Sequence, residues 1–148
     1  MASGDKSLAQ DSKTLPLSLL IPGHMAAREN VIAVVDDCDV VRDALDQLLT
    51  SCGYCTELYA SAEEFLRSAT VTPAACLVVD VHLGDISGPE LLRALAARGL
   101  HFPVILMSGS CDATLDHLAA ELGCLKFLRK PFVPTHLLEA IAQALSGA

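Results

Sequence analysis

Tryptophan is absent from this 148-residue chain, and aromatic residues make up only 4% of it. So few flat side chains leave little with which to stack unpaired bases, which argues against single-stranded nucleic acid as a ligand. Positive charge is also scarce: 10 Lys and Arg stand against 18 Asp and Glu, a formal net charge of −8. The imbalance sits in residues 29–148, with 16 acids and 7 bases, whereas residues 1–28 hold 2 acids and 3 bases. An acidic body repels phosphate backbones, so no direct contact with nucleic acid is expected. No apolar run approaches the ~18 residues of a membrane span. The stretch Leu15-Pro16-Leu17-Ser18-Leu19-Leu20-Ile21 is too short and Pro-interrupted for a secretory leader. Neither membrane insertion nor export is expected, and a cytoplasmic location follows. A reducing cytoplasm also suits six scattered cysteines, Cys38, Cys52, Cys55, Cys76, Cys111 and Cys124.

Aliphatic residues are plentiful. The chain is 52% hydrophobic with a mean hydropathy of +0.45, which favours a packed globule over disorder. Its length suits one domain with a substantial core. Residues 1–28 lack sustained periodicity and read as a flexible N-terminal tail, with Leu17, Leu19, Leu20 and Ile21 as a candidate docking peptide. The domain is expected over 29–148.

From Val31 onward, short continuous apolar runs alternate with amphipathic segments. Val31–Val35 reads as a buried strand and 39–51 as a helix with Val41, Leu45 and Leu48 in its apolar stripe. A second strand is expected over 54–59, then a short helix capped by Ser61 with Glu64 as capping-box partner. A third strand at 75–79 leads to Asp80. A loop containing Gly84, Ser87 and Gly88 precedes a helix carrying Leu91, Leu92 and Leu95. Pro103 opens the fourth strand, where its missing donor is tolerated. Leu115, Leu118, Ala119 and Leu122 mark the next helix, stopped by Gly123. A fifth strand follows at 124–129, and a last helix at 134–146 packs Leu138, Ile141 and Leu145. Five strands alternating with five helices predict a doubly wound α/β fold around a parallel sheet.

Four of those strands end in reactive polar groups: Asp36-Asp37, Asp80, Ser108 and Lys130. In open α/β sheets, ligands gather beyond the carboxyl ends of the strands. Crowded carboxylates need a cation to stay ionised together. Magnesium, a hard ion that prefers oxygen ligands, suits such a set. Asp37 and Asp80 are the expected direct ligands, Asp36 acts directly or through water, and the backbone carbonyl of His82 completes the protein's share. Asp80 is the candidate nucleophile toward a phosphoryl donor, with the metal screening the repulsion between two anions. Lys130 would balance the transferred oxygens and Ser108 would hydrogen-bond to them. Each residue alone has a plainer reading: the acids as caps, with Asp39 a candidate N-cap, Ser108 as a loop residue and Lys130 as a solvated charge. Their coincidence at one end of four strands favours the shared site.

With these motifs in place, the segment from about Val31 to Leu145 resembles the receiver domain of two-component response regulators, the CheY-like fold. The run Tyr59-Ala60-Ser61-Ala62-Glu63-Glu64-Phe65-Leu66 is similar to receivers of the FixJ type. The resemblance implies a five-stranded parallel sheet of order 2-1-3-4-5 in a flavodoxin-like, three-layer α/β/α sandwich. It implies that Asp80 accepts the phosphoryl group, in a magnesium-dependent reaction, from a sensor histidine kinase or phosphotransfer protein. It further implies a hydroxyl switch at Ser108, a switch aromatic at Phe127 and a cis Lys130-Pro131 bond. Output would pass to a protein target or a second copy through the face made by the fourth helix, fifth strand and last helix. Gly84-Asp85 and Glu121-Leu122-Gly123-Cys124 depart from the usual loops, and His82 and Ser110 stand where water access to the acyl phosphate is tuned.

FixJ-type receivers usually precede a helix-turn-helix domain, and no DNA-reading element is expected here. The chain is accordingly expected to turn over no substrate beyond its own phosphorylation and dephosphorylation. The competing enzyme reading, a haloacid-dehalogenase-like phosphatase, wants an Asp where His82 stands. A third reading is a receiver-like module that takes no phosphate. Cys52-Gly53-Tyr54-Cys55 lacks a second pair at metal spacing and reads as a turn. His24, His101, His117 and His136 read as surface residues, and Cys38 and Cys111 flank the expected site.

Overall fold

The computed structural model describes residues 31–109 and 113–146. The N-terminal stretch 1–28 with its leucine-rich segment and His24, together with Ser110 and Cys111, lies outside the described residues. Three strands are buried at every position: β1 (Val31–Val35), β3 (Cys76–Asp80) and β4 (Val104–Ser108). Covered on both faces, they read in sequence as unbroken apolar runs rather than alternating ones. The edge strands β2 (Cys55–Tyr59) and β5 (Lys126–Arg129) are only partly covered and mix polar with apolar residues. All pairings are parallel, in the order β2-β1-β3-β4-β5. This is the 2-1-3-4-5 order that the resemblance implied.

Alternation along the strands splits the interior into two cores. Val31, Ala33, Val35, Leu77, Val79 and Leu106 face α2 (Ala62–Ser68), α3 (Gly88–Ala97) and α4 (Ala113–Glu121). Ile32, Val34, Val78, Ile105, Met107 and Leu128 face α1 (Asp39–Ser51) and α5 (Pro134–Leu145). The result is three layers, helices on both faces of the sheet.

Several local expectations need correction. Cys38, not Asp39, occupies the N-cap position of α1, and its side chain makes no capping bond. Asp36 instead shapes the turn into the helix, its Oδ1 accepting from the Cys38 N–H at 2.9 Å. Ser61 does cap α2, accepting from the Glu64 N–H at 3.0 Å, but the Glu64 carboxylate bonds the Ala60 N–H rather than closing the box on Ser61. The complete capping box is at α3, between Ser87 and Glu90, and Gly88 is the first residue of that helix rather than part of the loop. In α1 Leu45 is buried as expected, but its buried companion is Leu49, with Val41 and Leu48 only partly covered. In α5 the buried face is Leu137, Ala140, Ile141 and Ala144, while Leu138 and Leu145 lie at its margin.

Candidate functional site

The parallel topology places the carboxyl ends of β1, β3, β4 and β5 on one rim. Asp36 and Asp37 follow β1 directly, Asp80 ends β3, Ser108 ends β4 and Lys130 follows β5. Backbone bonds fix the rim: the Asp36 N–H donates to the Tyr59 carbonyl at 3.1 Å, Val81 N–H to Met107 at 2.8 Å and Lys130 N–H to Ser108 at 2.7 Å. The Lys130-Pro131 peptide is cis.

Lys130 is the centre of the arrangement. Its Nζ lies 3.2 Å from Asp80 Oδ1 and 3.3 Å from Asp36 Oδ2, joining residues from three strands. Asp36 is 1% exposed and Asp80 7%, whereas the Lys130 side chain is 28% exposed. Asp37 is exposed at the mouth, and one oxygen from each of Asp36, Asp37 and Asp80 lies within 4.8 Å of the others. Burial pushes the Asp80 carboxyl above its ordinary range, Asp36 adds to the rise, and Lys130 opposes it. For Lys130, burial works against the ammonium, but the attraction of Asp36 and Asp80 outweighs it and raises the pKa.

These residues fit a divalent cation. Three carboxylates against one ammonium leave an excess of negative charge, and all the available donors are hard oxygens. An exposed member at the mouth also leaves a side open to a ligand.

The hydroxyl-bearing Ser108 is fully buried, one residue beyond the Met107 that pairs with Asp80. Phe127 pairs in register with Leu106 on the same neighbouring strand and is partly buried. The Arg129 guanidinium lies 5.7 Å from the Phe127 ring centre and is held by Asp116 of α4 at 2.7 Å. His82 is exposed beside the site, as are His101, His117 and His136 elsewhere. Cys52 and Cys55 are exposed free thiols, and no metal-competent cluster of three or more residues includes them among the described residues. Cys38 is likewise exposed and free, at the start of α1. Cys76, inside β3, is buried and its thiol is pushed up to about 12 by desolvation.

Two contacts had no clear sequence signal. Arg42 of α1 reaches back to the Asp36 carbonyl, Nη1 to O 2.7 Å, and so holds the backbone beneath the acidic pair. Gly88 lies against the backbone of Asp80, a closeness that only the folded loop creates. A base one turn into a helix and a glycine beside a cap are too common to single out.

A parallel sheet of this order, with acids and a lysine converging at its carboxyl rim, defines a receiver-type domain. The model of the response regulator receiver domain matches residues 32–142, and the chain belongs to that family. It is 40% identical over 114 residues to the transcriptional regulatory protein FixJ of Azorhizobium caulinodans, covering 77% of this chain and 54% of that protein. It is 36% identical over 125 residues to the response regulator protein TodT of Pseudomonas putida, covering 84% of this chain and 55% of the other. The crystal structure of FixJ-N superposes with a TM-score of 0.75 at 35% identity, covering 80% of this chain and 94% of that one. The chain thus spans just over half the length of these two curated relatives.

Proposed function

We propose that this chain is the phosphoacceptor of a two-component phosphorelay, with Asp80 as the acceptor. The observation that carries the reading is the Lys130 ammonium within 3.3 Å of both Asp36 and Asp80, in a pocket of three converging carboxylates. A carboxylate oxygen of Asp80 attacks the donor phosphorus, and a new O–P bond forms as the P–N bond of a phosphohistidine breaks. The imidazole nitrogen keeps the bonding pair. Lys130 compensates the oxygens carried in with the phosphoryl group, and Ser108 offers its hydroxyl to one of them. Magnesium bound by Asp37, Asp80, the His82 carbonyl and Asp36 (directly or through water) would supply charge screening between the two anions. Water then hydrolyses the acyl phosphate, releasing inorganic phosphate and restoring Asp80. No other substrate is turned over.

Donors of this chemistry are a sensor histidine kinase or a phosphotransfer protein. Output is a population shift in which Ser108 and Phe127 move inward and remodel the face of α4, β5 and α5 for a protein target or a second copy. Among the described residues no helix is long and apolar enough to cross a membrane. Among the described residues five cysteines are free, which agrees with a cytoplasmic setting.

The test is intact-mass measurement after incubation with a small acyl phosphate and magnesium. The wild-type protein is expected to gain one phosphoryl group and Asp80→Asn none. Equal gain in both would remove Asp80 from the role; no gain in the wild type would remove the function.

A further inference from the structure

The loop after Asp80 folds back on itself. Val81 donates its N–H to Met107, and its carbonyl accepts the Gly88 N–H at 2.9 Å. Between those points Leu83 is buried and Gly84 takes a φ of +92°. The loop therefore closes at its base, and α3 begins directly against the strand end that carries Asp80. The capping box of Ser87 and Glu90 holds the first turn in that seat, with Ser87 N–H to Glu90 Oε1 at 2.8 Å and Glu90 N–H to Ser87 Oγ at 3.2 Å.

Gly88 is the contact point. A Cβ built on it would stand 2.6 Å from the Asp80 carbonyl oxygen, 3.1 Å from the Val81 Cα and 3.3 Å from the Asp80 carbonyl carbon. All three are backbone atoms, which cannot swing aside as a side-chain tip would. Asp80 itself has little freedom to absorb a shift: it is paired through β3 to β4 and bonded to Lys130 at 3.2 Å. Any side chain at 88 must therefore move α3 or the Asp80 peptide.

We propose that Gly88 is a positioning residue for Asp80: by lacking a side chain it lets α3 seat against the Asp80 carbonyl and so sets the direction of the carboxylate toward Lys130 and Asp37. The inference rests on the reading of Asp80 as phosphoacceptor but concerns a different residue and a different observable. Only the Asp80 carboxylate's aim is at stake, not its chemistry. A misplacement of well under 1 Å at a reacting group is enough to matter, since about 1 Å costs on the order of a hundredfold in rate.

The experiment compares wild type, Gly88→Ala and Gly84→Ala. Gly84 serves as the control because alanine there strains a positive φ in the same loop yet meets nothing within 4 Å. Three quantities are measured on each folded protein: the thermal midpoint, the affinity for magnesium alone by calorimetry, and the rate of phosphorylation against acyl phosphate concentration. For Gly88→Ala, the rate at saturating donor is expected to fall roughly tenfold to a hundredfold, with the half-saturating concentration little changed and magnesium bound more weakly. Gly84→Ala is expected to lose stability while keeping the wild-type rate and magnesium affinity.

A wild-type rate and affinity in folded Gly88→Ala would overturn the proposal, as would equal losses in both variants. Should Gly88→Ala not fold, Ser87→Ala decides, because it loosens the same seat without adding an atom against Asp80. A lower saturating rate in that folded variant supports the assignment, and an unchanged rate overturns it. Should wild type take no phosphoryl group, the phosphoacceptor reading falls, while the magnesium affinities still decide whether Gly88 aims the carboxylate.

Discussion

Burial, and then the presence of a second acid beside a single ammonium, set how Asp80 affects stability. Because Asp80 holds its proton more tightly when folded than when unfolded, its ionisation costs the fold. The folded state binds more protons across that interval, so stability declines as pH climbs from the ordinary carboxylate range through the raised value. Asp80→Asn removes the cost. In metal-free buffer, a series of denaturant titrations should show the variant more stable than wild type near pH 7, with a flatter profile through the acid range. Lys130 acts in the opposite sense. Its raised folded value means that its contribution is intact below the ordinary lysine range and is lost as pH rises through the folded pKa. Lys130→Met leaves Asp36 and Asp80 facing each other, and chemical denaturation at pH 7 should find about 2 kcal/mol less stability, allowing for the ammonium's partial exposure.

Among the elements, the aromatic contacts between β2, α2 and the segment entering β4 hold one core together. Phe65 is fully buried, edge-on to Tyr59 at 5.1 Å between ring centres and to Phe102 at 5.8 Å. Phe65→Ala should cost about 3–5 kcal/mol, read as a lower denaturation midpoint with the slope unchanged. The Asp116–Arg129 pair between α4 and β5 is exposed on both sides, so Asp116→Ala should change stability by no more than about 1 kcal/mol. Burial also explains which elements were legible in the sequence. β1, β3 and β4 are covered on both faces, so their apolar runs carry an unambiguous signal. The apolar stripe of α5 was less legible, because apolar residues surround much of the helix and only the sheet decides that Leu137 rather than Leu138 faces it. Asp36, Asp37 and Asp80 were legible because they close such runs, whereas Lys130 follows the mixed edge strand β5 and was legible only through its place after Phe127-Leu128-Arg129 beside the other three. Arg42 and Gly88 were not, since their importance comes from backbone atoms of Asp36 and Asp80 that the fold brings to them.

For the whole molecule, residues 29–148 carry 16 acids and 7 bases, and self-repulsion of like charge opposes compaction. Raising ionic strength with a monovalent salt should therefore raise the thermal midpoint. Millimolar magnesium should raise it further in wild type than in Asp80→Asn, because binding to the folded state alone adds stability by mass action. Differential scanning calorimetry at matched ionic strength separates the two effects.

The placement of the two tyrosines has a practical consequence for optical work. Tyr54 and Tyr59 flank or end β2, the sheet edge opposite β5, and there is no tryptophan. Native ultraviolet emission thus reports on the wrong border of the sheet and will be nearly silent to events around Phe127. Replacing Phe127 with tryptophan would install a lamp at the margin that the proposed switch would move, and a stopped-flow change in its emission on phosphorylation would report that motion.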